Sequence, residues 1–137
     1  MKELTAKDLM IGDWVYNTHN QQNERVREIG RQRVMLDYND MYEYDYIEPI
    51  PLTTEILEKN GFVANKHVYP YPYYEYEVKE YKVKVGFAFP QGNRTSYKEP
   101  WVYIDTECAF IEHLPCIFVH QLQHALKSCR IDKTIEL

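Results

Sequence analysis

Apolar and polar residues alternate over much of the N-terminal part of the chain, as they do in strands that bury one face. The segments are residues 11–16, 25–29, 33–38 and 42–46. Residues 25–29 do not alternate cleanly, because Val26 and Ile29 are three positions apart, and a β-bulge would reconcile them with a strand. The last segment is the most regular, because its tyrosines occupy one face and its acids the other. Short strands so close in sequence predict a strand-rich subdomain over residues 1–52, which could curl into a small SH3-like barrel.

The clearest helix signal spans residues 53–60. Thr53 is a favourable N-cap, and Leu52 and Leu57 occupy the two positions of a hydrophobic staple. Gly61 stands where a left-handed residue commonly ends a helix. Because the start and stop signals agree, the sequence predicts one short helix here.

A second strand-rich region follows this helix. Within residues 77–89, the apolar Tyr81, Val83, Val85 and Phe87 alternate with Lys82 and Lys84. Residues 101–105 and 109–111 have the composition of two further strands. These segments predict a second sheet, and their short connections favour antiparallel pairing.

Residues 116–129 have the period of one amphipathic helix. At about 100° per residue, one group of apolar residues falls within about 60° of Leu122. The group is Phe118, Val119, Ala125, Leu126 and Cys129. His120 and His124 fall on the opposite face, so we expect both to be exposed to solvent. Pro115 suits the first turn of this helix, where its missing N–H costs no hydrogen bond.

The elements follow one another as strands, helix, strands, helix, with short connections. This order predicts an α+β fold, in which the second antiparallel sheet packs against the C-terminal helix 116–129. Two subdomains are expected, residues 1–52 and residues 53–137. The alternative is one continuous domain over residues 1–137.

Composition narrows the classes of protein that fit. The formal net charge of -5 argues against a default attraction to nucleic acids or anionic membranes. No apolar run approaches the length that spans a bilayer, and the first residues carry acids instead of an apolar signal core. Three cysteines without paired spacing suit free thiols in a reducing compartment. We therefore expect a cytoplasmic protein with no membrane partner.

Three short stretches carry recognisable motifs. They are DLMIGDWV at residues 8–15, IEPIPLT at residues 47–53 with NGF at residues 60–62, and VHQLQ at residues 119–123. Together they resemble a family of small uncharacterised proteins encoded by anaerobic gut bacteria and by their phages or integrated mobile elements. The resemblance implies a phage or mobile-element origin. It implies no activity, cofactor or site residue.

A basic patch lies in the predicted barrel. It consists of Arg25, Arg27, Arg31 and Arg33. With the ring of Trp14, these guanidinium groups could bind a nucleic acid through charge and stacking. The acids that follow, from Asp37 to Glu48, would repel phosphate. The alternative is a solvated strand face that pairs with those acids.

Tyrosine is the unusual residue type, because the chain has 13 tyrosines and only 5 phenylalanines. Tyr42, Tyr44 and Tyr46 alternate with Glu43 and Asp45. This combination of rings and carboxylates could form a contact surface for a basic protein partner. The alternative is an ordinary strand with one buried face and one wet face.

Cys116, His120 and His124 are spaced by four residues and would form one stripe on a helix. Imidazoles at this spacing can chelate a transition metal, but the stripe offers three ligands where a closed zinc site needs four. A thiol close to a helix N-terminus would also have a lowered pKa. The alternative is a solvated histidine face that binds no metal.

The common enzyme motifs are absent from the sequence. Residue 121 is Gln where a metalloprotease helix needs Glu, and there is no glycine-rich phosphate loop. We therefore predict a non-enzymatic interaction protein without a cofactor, which acts as an adaptor or modulator of a protein partner. Two alternatives are a nucleic-acid-binding module on the arginine patch and a metal-binding protein on the histidine stripe.

Overall fold

The computed structural model describes residues 4–65, 73–86 and 100–137, except for the side chains of Glu112 and His113. Within it the chain forms two compact units. The first comprises Met1–Pro51 with Phe118–His120, and the second comprises Leu52–Ile117 with Gln121–Leu137. Phe87 and the end of the strand predicted over residues 77–89 lie outside the described residues.

The first unit is built from short antiparallel strands. They are β1 (Trp14–Asn17), β2 (Gln22–Arg25), β3 (Glu28–Ile29), β4 (Arg33–Met35), β5 (Met41–Glu43) and β6 (Ile47–Glu48). In one sheet β1 lies between β2 and β6, and in another β4 lies between β3 and β5. Short 3-10 turns at Ala6–Asp8 and Tyr44–Tyr46 precede β1 and β6. The core consists of Leu4, Leu9, Val15, Val26, Val34, Leu36 and Ile47.

The strand predicted over residues 25–29 is broken, because β2 and β3 belong to different sheets. Val26 lies at the bend, where its N–H donates to the Asp13 carbonyl at 2.9 Å. The carboxylate of Asp37 accepts from the Arg25 N–H at 2.8 Å and forms an ion pair with Arg27 at 2.9 Å. These contacts fix the bend, which turns the chain from one sheet into the next.

The strand predicted over residues 42–46 is shorter than expected. β5 ends at Glu43, and Tyr44–Tyr46 form a 3-10 turn. Side chains in such a turn advance by about 120° per residue, so residues two apart do not share a face. The prediction of one continuous strand over residues 42–46 was therefore wrong, and Tyr46 does not share the face of Tyr44.

The second unit contains one five-stranded antiparallel sheet, in the order β11-β10-β9-β8-β7. Its strands are β7 (Val63–Asn65), β8 (Tyr73–Val78), β9 (Tyr81–Gly86), β10 (Trp101–Thr106) and β11 (Phe110–Pro115). β9 starts at Tyr81 instead of residue 77, because a tight turn after Val78 joins it to β8. On the opposite face from the core, the indole of Trp101 lies across Gly86 and leaves no room there for a Cβ atom.

Two helices complete the second unit: α1 (Thr54–Lys59) and, from Gln121 onward, α2 (Val119–Ser128). The buried residues of the sheet are Val83, Val85, Val102 and Ile104, and those of the helices include Leu57, Leu122, Ala125 and Leu126. The predicted α+β fold, with antiparallel sheets and a C-terminal helix, is confirmed. No helix among the described residues is long and apolar enough to cross a membrane.

α1 forms as the sequence predicts. The Thr53 hydroxyl accepts from the Ile56 N–H at 3.2 Å, and this caps the helix. Gly61 follows the helix with a φ of 87°. The Phe62 N–H then donates to the Leu57 carbonyl at 3.0 Å, which closes a Schellman-type end.

Replacing Gly61 by alanine should destabilise the fold by about 1–2 kcal/mol. The new Cβ would be held at positive φ and would lie 3.3 Å from the Tyr76 ring. Urea unfolding followed by circular dichroism measures the loss. Gly61→Asn is the matched control, since asparagine also carries a Cβ but tolerates positive φ better, and it should lose less. A Gly61→Ala protein as stable as the parent would contradict backbone strain at this position.

α2 starts at Val119, later than the predicted residue 116. Pro115 is the last residue of β11, paired with Trp101, and not part of a first helical turn. The Cys116 N–H donates to the Pro100 carbonyl at 2.8 Å, and the Ile117 N–H donates to the side chain of Gln121 at 2.7 Å. These bonds keep Cys116 and Ile117 outside the helix.

His120 is buried, with 2% of its surface exposed, so the prediction that it faces solvent was wrong. Its ring stacks on Phe118, with centroids 5.9 Å apart. The Val119 N–H donates to the Ile50 carbonyl at 2.8 Å, and Pro51 forms a β-bridge with Phe118. Ile50 and Pro51, which are remote in sequence, therefore cover the first turn of α2. A helical wheel does not include such a neighbour.

The C-terminal segment after α2 is fixed to the second unit. Ile131 and Ile135 are buried, so the segment contributes to the core. The side chain of Asn60, at the end of α1, is 7% exposed. Its Nδ2 donates to the Glu136 carbonyl at 2.8 Å, and its Oδ1 accepts from the Glu136 N–H at 2.7 Å. Lys59 Nζ donates to the carbonyl of Leu137.

Candidate functional site

The three tyrosines predicted to form one contact surface separate in the structure. Tyr44 packs against the core of the first unit, and its hydroxyl donates to the Gly30 carbonyl at 2.6 Å. Burial raises the pKa of Tyr44, as expected for a phenol removed from water. Tyr44 is therefore a structural residue. Tyr42 is half-buried and also packs against this core, but its ring meets that of the exposed Tyr46.

A histidine that the sequence did not single out joins these two tyrosines. The His19 ring lies 5.7 Å from Tyr42 and 5.9 Å from Tyr46, centroid to centroid, and the tyrosine rings lie 6.4 Å apart. The pairs are tilted or edge-to-face, the geometry that aromatic rings prefer. His19 is exposed and Tyr46 is 43% exposed. We call this group the aromatic cluster.

Hydrogen bonds hold the aromatic cluster in place. It joins the loop between β1 and β2 to β5 and the following 3-10 turn. The Thr18 N–H donates to the Tyr46 carbonyl at 2.9 Å, and the Thr18 hydroxyl donates to the same oxygen at 3.1 Å. Asn20 Nδ2 donates to the Tyr42 hydroxyl oxygen at 3.0 Å. The rings are therefore positioned before any partner arrives.

A buried carboxylate organises the loop that carries His19. Glu24 is 1% exposed and accepts from Asn17 Nδ2 at 2.8 Å and from Asn20 Nδ2 at 3.2 Å. Asn17 Oδ1 in turn accepts from the backbone N–H groups of His19 and Asn20, at 2.9 and 3.3 Å. The loop is thus tied by hydrogen bonds to a buried side chain, which makes it more rigid than an unsupported hairpin loop.

The chain around the aromatic cluster is acidic. Residues 34–51 contain five acids and neither lysine nor arginine. The acids are Asp37, Asp40, Glu43, Asp45 and Glu48. Asp37 is paired with Arg27, while Asp40, Glu43 and Asp45 are exposed. Glu43 directly follows Tyr42, and Asp45 directly precedes Tyr46, so exposed carboxylates flank the two rings.

Two of the four arginines of the patch, Arg25 and Arg27, have side-chain partners within the first unit. The guanidinium of Arg25 lies over the ring of Trp14, 5.0 Å from its centroid. Arg27 Nε donates to Asp37 at 3.0 Å. Arg31 and Arg33 are exposed, and Arg33 is paired with Glu43 in the β4–β5 register. Trp14 and Arg25, two residues of the predicted nucleic-acid surface, thus contact each other. The charge of Arg27 is balanced by the carboxylate of Asp37.

The predicted stripe of Cys116, His120 and His124 does not form on α2. Cys116 precedes the helix and is fully buried, and burial raises its pKa to about 12 instead of lowering it. His120 is buried and His124 is half-buried. Within the described parts of the chain, no three His, Cys, Asp or Glu residues could hold a metal ion together.

Comparison with known proteins does not assign the chain to a family. Neither a family model, nor a curated protein, nor a solved structure matches it. The function must therefore be inferred from the residues of the site.

Proposed function

We propose that this chain is a non-enzymatic interaction protein, an adaptor or modulator, that binds a protein partner through its aromatic cluster. The observation that carries the proposal is the arrangement of His19, Tyr42 and Tyr46. Three rings contact one another at the surface, and backbone and side-chain hydrogen bonds hold them in place. Tyrosine is enriched at the energetic centres of protein interfaces.

The rigidity of the loop supports binding as its role. Association costs conformational entropy when side chains and loops must be ordered at the interface. Here Glu24 and the two asparagines order the loop in advance, through bonds of 2.8–3.3 Å. Removing a carboxylate from water costs free energy, and a hairpin loop does not need one to form. An ordered loop that presents a contact surface gives this buried group a role.

The topology of the first unit supports an SH3-like arrangement. β1 pairs with both β2 and β6, and a 3-10 turn directly precedes β6. This closure brings the β1–β2 loop next to the 3-10 turn, which is how His19 reaches Tyr46. The proposed setting is the bacterial cytoplasm, and the proposed origin is a phage or mobile element, as the sequence motifs suggest.

A pull-down from a lysate of an anaerobic gut bacterium, using the full chain as bait, tests this proposal. We expect a protein that is retained by the parent and survives nuclease treatment. His19→Ala and Tyr46→Ala should each reduce its recovery about tenfold, because hot-spot truncations typically cost a kilocalorie or more. Tyr38→Ala is the matched control, since Tyr38 is 67% exposed but lies outside the cluster.

Two outcomes would contradict the proposal. If recovery is the same for His19→Ala, Tyr46→Ala and Tyr38→Ala, the aromatic cluster is not the contact surface. If all recovery vanishes with nuclease and falls with Arg31 and Arg33 substitutions, the chain is a nucleic-acid-binding module instead. The exposed guanidinium groups of these two arginines would then supply the phosphate contacts.

A further inference from the structure

We infer that the aromatic cluster receives a cationic side chain, preferentially arginine, from a basic segment of the partner. This inference rests on the proposed function, because it names the chemistry of the partner at the same site. Three features of the first unit lead to it: the faces of the rings, the charge around them, and the polar groups beneath them.

Ring faces elsewhere in this chain are occupied by cations. The Arg25 guanidinium lies 5.0 Å from the Trp14 centroid, and Lys133 Nζ lies 3.9 Å from the Tyr76 centroid. Lys84 Nζ lies 4.9 Å from the Tyr73 centroid. Among the described residues, no lysine or arginine occupies the faces of Tyr42 or Tyr46 in this way. Tyr46, which is 43% exposed, and the half-buried Tyr42 therefore offer ring faces of the same kind to a cation from another molecule.

The charge around the cluster favours the same occupant. Glu43 and Asp45 are exposed and adjacent in sequence to the two tyrosines. At physiological salt their fields reach about 8 Å, which covers a ligand seated on the neighbouring rings. A basic segment would be attracted by these carboxylates, and an acidic peptide or a phosphate backbone would be repelled.

The third feature is the set of polar groups that hold the Tyr42 ring. The Tyr42 hydroxyl oxygen accepts from Asn20 Nδ2 at 3.0 Å, and Asn20 is held by the buried Glu24. The Tyr42 hydroxyl is thus held by an amide that Glu24 fixes in place. Arginine suits such a site better than lysine, because its planar guanidinium is weakly hydrated and stacks on aromatic faces while it donates to carboxylates.

Titration of the full chain with three short peptides tests this inference. The peptides are glycine-spaced and carry arginine, lysine or glutamate at the same positions. In NMR spectra we expect the arginine peptide to shift the signals of His19 and Tyr46 but not that of Tyr38. The lysine peptide should bind about threefold more weakly, in line with the weaker cation–π pairing of lysine, and the glutamate peptide should not bind.

Neutralising the flanking acids gives the second readout. Glu43→Gln with Asp45→Asn should weaken arginine-peptide binding about tenfold at low salt, and less at about 0.5 M salt, where screening already reduces the attraction. The matched control is Asp105→Asn with Glu107→Gln, which neutralises two exposed acids of the second unit. This control should bind like the parent. Both double variants change only exposed side chains, so we expect both to fold.

The outcomes separate this inference from the proposed function. One outcome is that recovery of a captured protein depends on His19 and Tyr46 but not on Glu43 and Asp45. In that case the proposed interaction function is supported, and the inference of a basic partner is wrong. Equal binding of the arginine and glutamate peptides would also overturn the inference. If no protein depends on His19 or Tyr46, the proposed function fails first, and the peptide titration still shows whether the cluster binds cations.

Discussion

Raising the pH from 9 to 12 is expected to destabilise the folded chain by about 3 kcal/mol through the Cys116 thiol. Cys116 follows β11 in the chain and is fully buried, and burial raises its pKa from 9.0 to about 12. The folded state therefore keeps this thiol neutral in a range where the unfolded chain ionises it. The stabilisation is complete below pH 9 and is lost as the pH rises toward 12.

Urea unfolding at several alkaline pH values measures this loss. Tyrosines and lysines also titrate in the alkaline range, so the comparison is with Cys116→Ala. That variant has a small cavity and a lower stability at neutral pH, but its stability should fall less steeply with pH. Cys108→Ala removes an exposed thiol and should keep the parental slope. Identical slopes for the parent and Cys116→Ala would show that the buried thiol does not ionise on unfolding.

Replacing Asn60 by alanine should destabilise the fold by about 3 kcal/mol and release the C-terminal segment. The substitution removes two hydrogen bonds to Glu136, of 2.8 and 2.7 Å, and a third to the Ile56 carbonyl at 2.7 Å. Asn60 is 7% exposed, so water replaces these bonds only if the segment moves away. Urea unfolding gives the loss of stability, and hydrogen exchange at the Glu136 amide gives the release.

The neighbouring residue supplies the control for Asn60. Lys59 also contacts the C-terminal segment, through Leu137, but its side chain is exposed. Lys59→Ala should cost less than about 1 kcal/mol, as surface pairs usually do. If both variants lose equally little, the buried amide does not anchor the segment. If Asn60→Ala is unstable but the Glu136 amide stays protected, the loss arises within α1 and not at the anchor.

Sequence signals were reliable where local interactions decide the structure. The helix α1 has its cap, its staple and its terminal glycine within ten consecutive residues, Leu52 to Gly61. Each of these contacts involves residues three to five positions apart, so the sequence contains all the information needed. The antiparallel second sheet was predictable for a similar reason, because Val83 and Val85 alternate with lysines along one strand.

Predictions failed where a remote segment decides burial. The helical wheel of α2 placed His120 on the solvent face, but Ile50 and Pro51 run alongside residues 118 and 119. A wheel describes one helix in isolation, so it omits a neighbour supplied from elsewhere in the chain. Cys116 shows the same effect, because a hydrogen bond to Pro100 holds it outside the helix whose positive end was expected to lower its pKa.

The candidate site was predictable in part. Tyr42 and Tyr46 stood out because they alternate with acids, and both belong to the aromatic cluster. Tyr44 has the same sequence signal but bonds to Gly30 and lies outside the cluster, because the 3-10 turn breaks the two-residue period. His19 gave no periodic signal within a polar loop. The run of asparagines around it, which binds the buried Glu24, is the feature that could have marked the loop as ordered.

The two units each contain one of the two tryptophans in the chain, and this gives each unit its own fluorophore. Trp14 lies beneath the guanidinium of Arg25, a neighbour that can quench or shift its emission. Trp101 lies flat on the backbone at Gly86, with the ring of Tyr73 6.4 Å away. Trp14→Phe or Trp101→Phe leaves a single indole in the chain. Its fluorescence then follows the unfolding of the unit that contains it. Coincident or separate transitions of the two signals then report how cooperatively the units unfold.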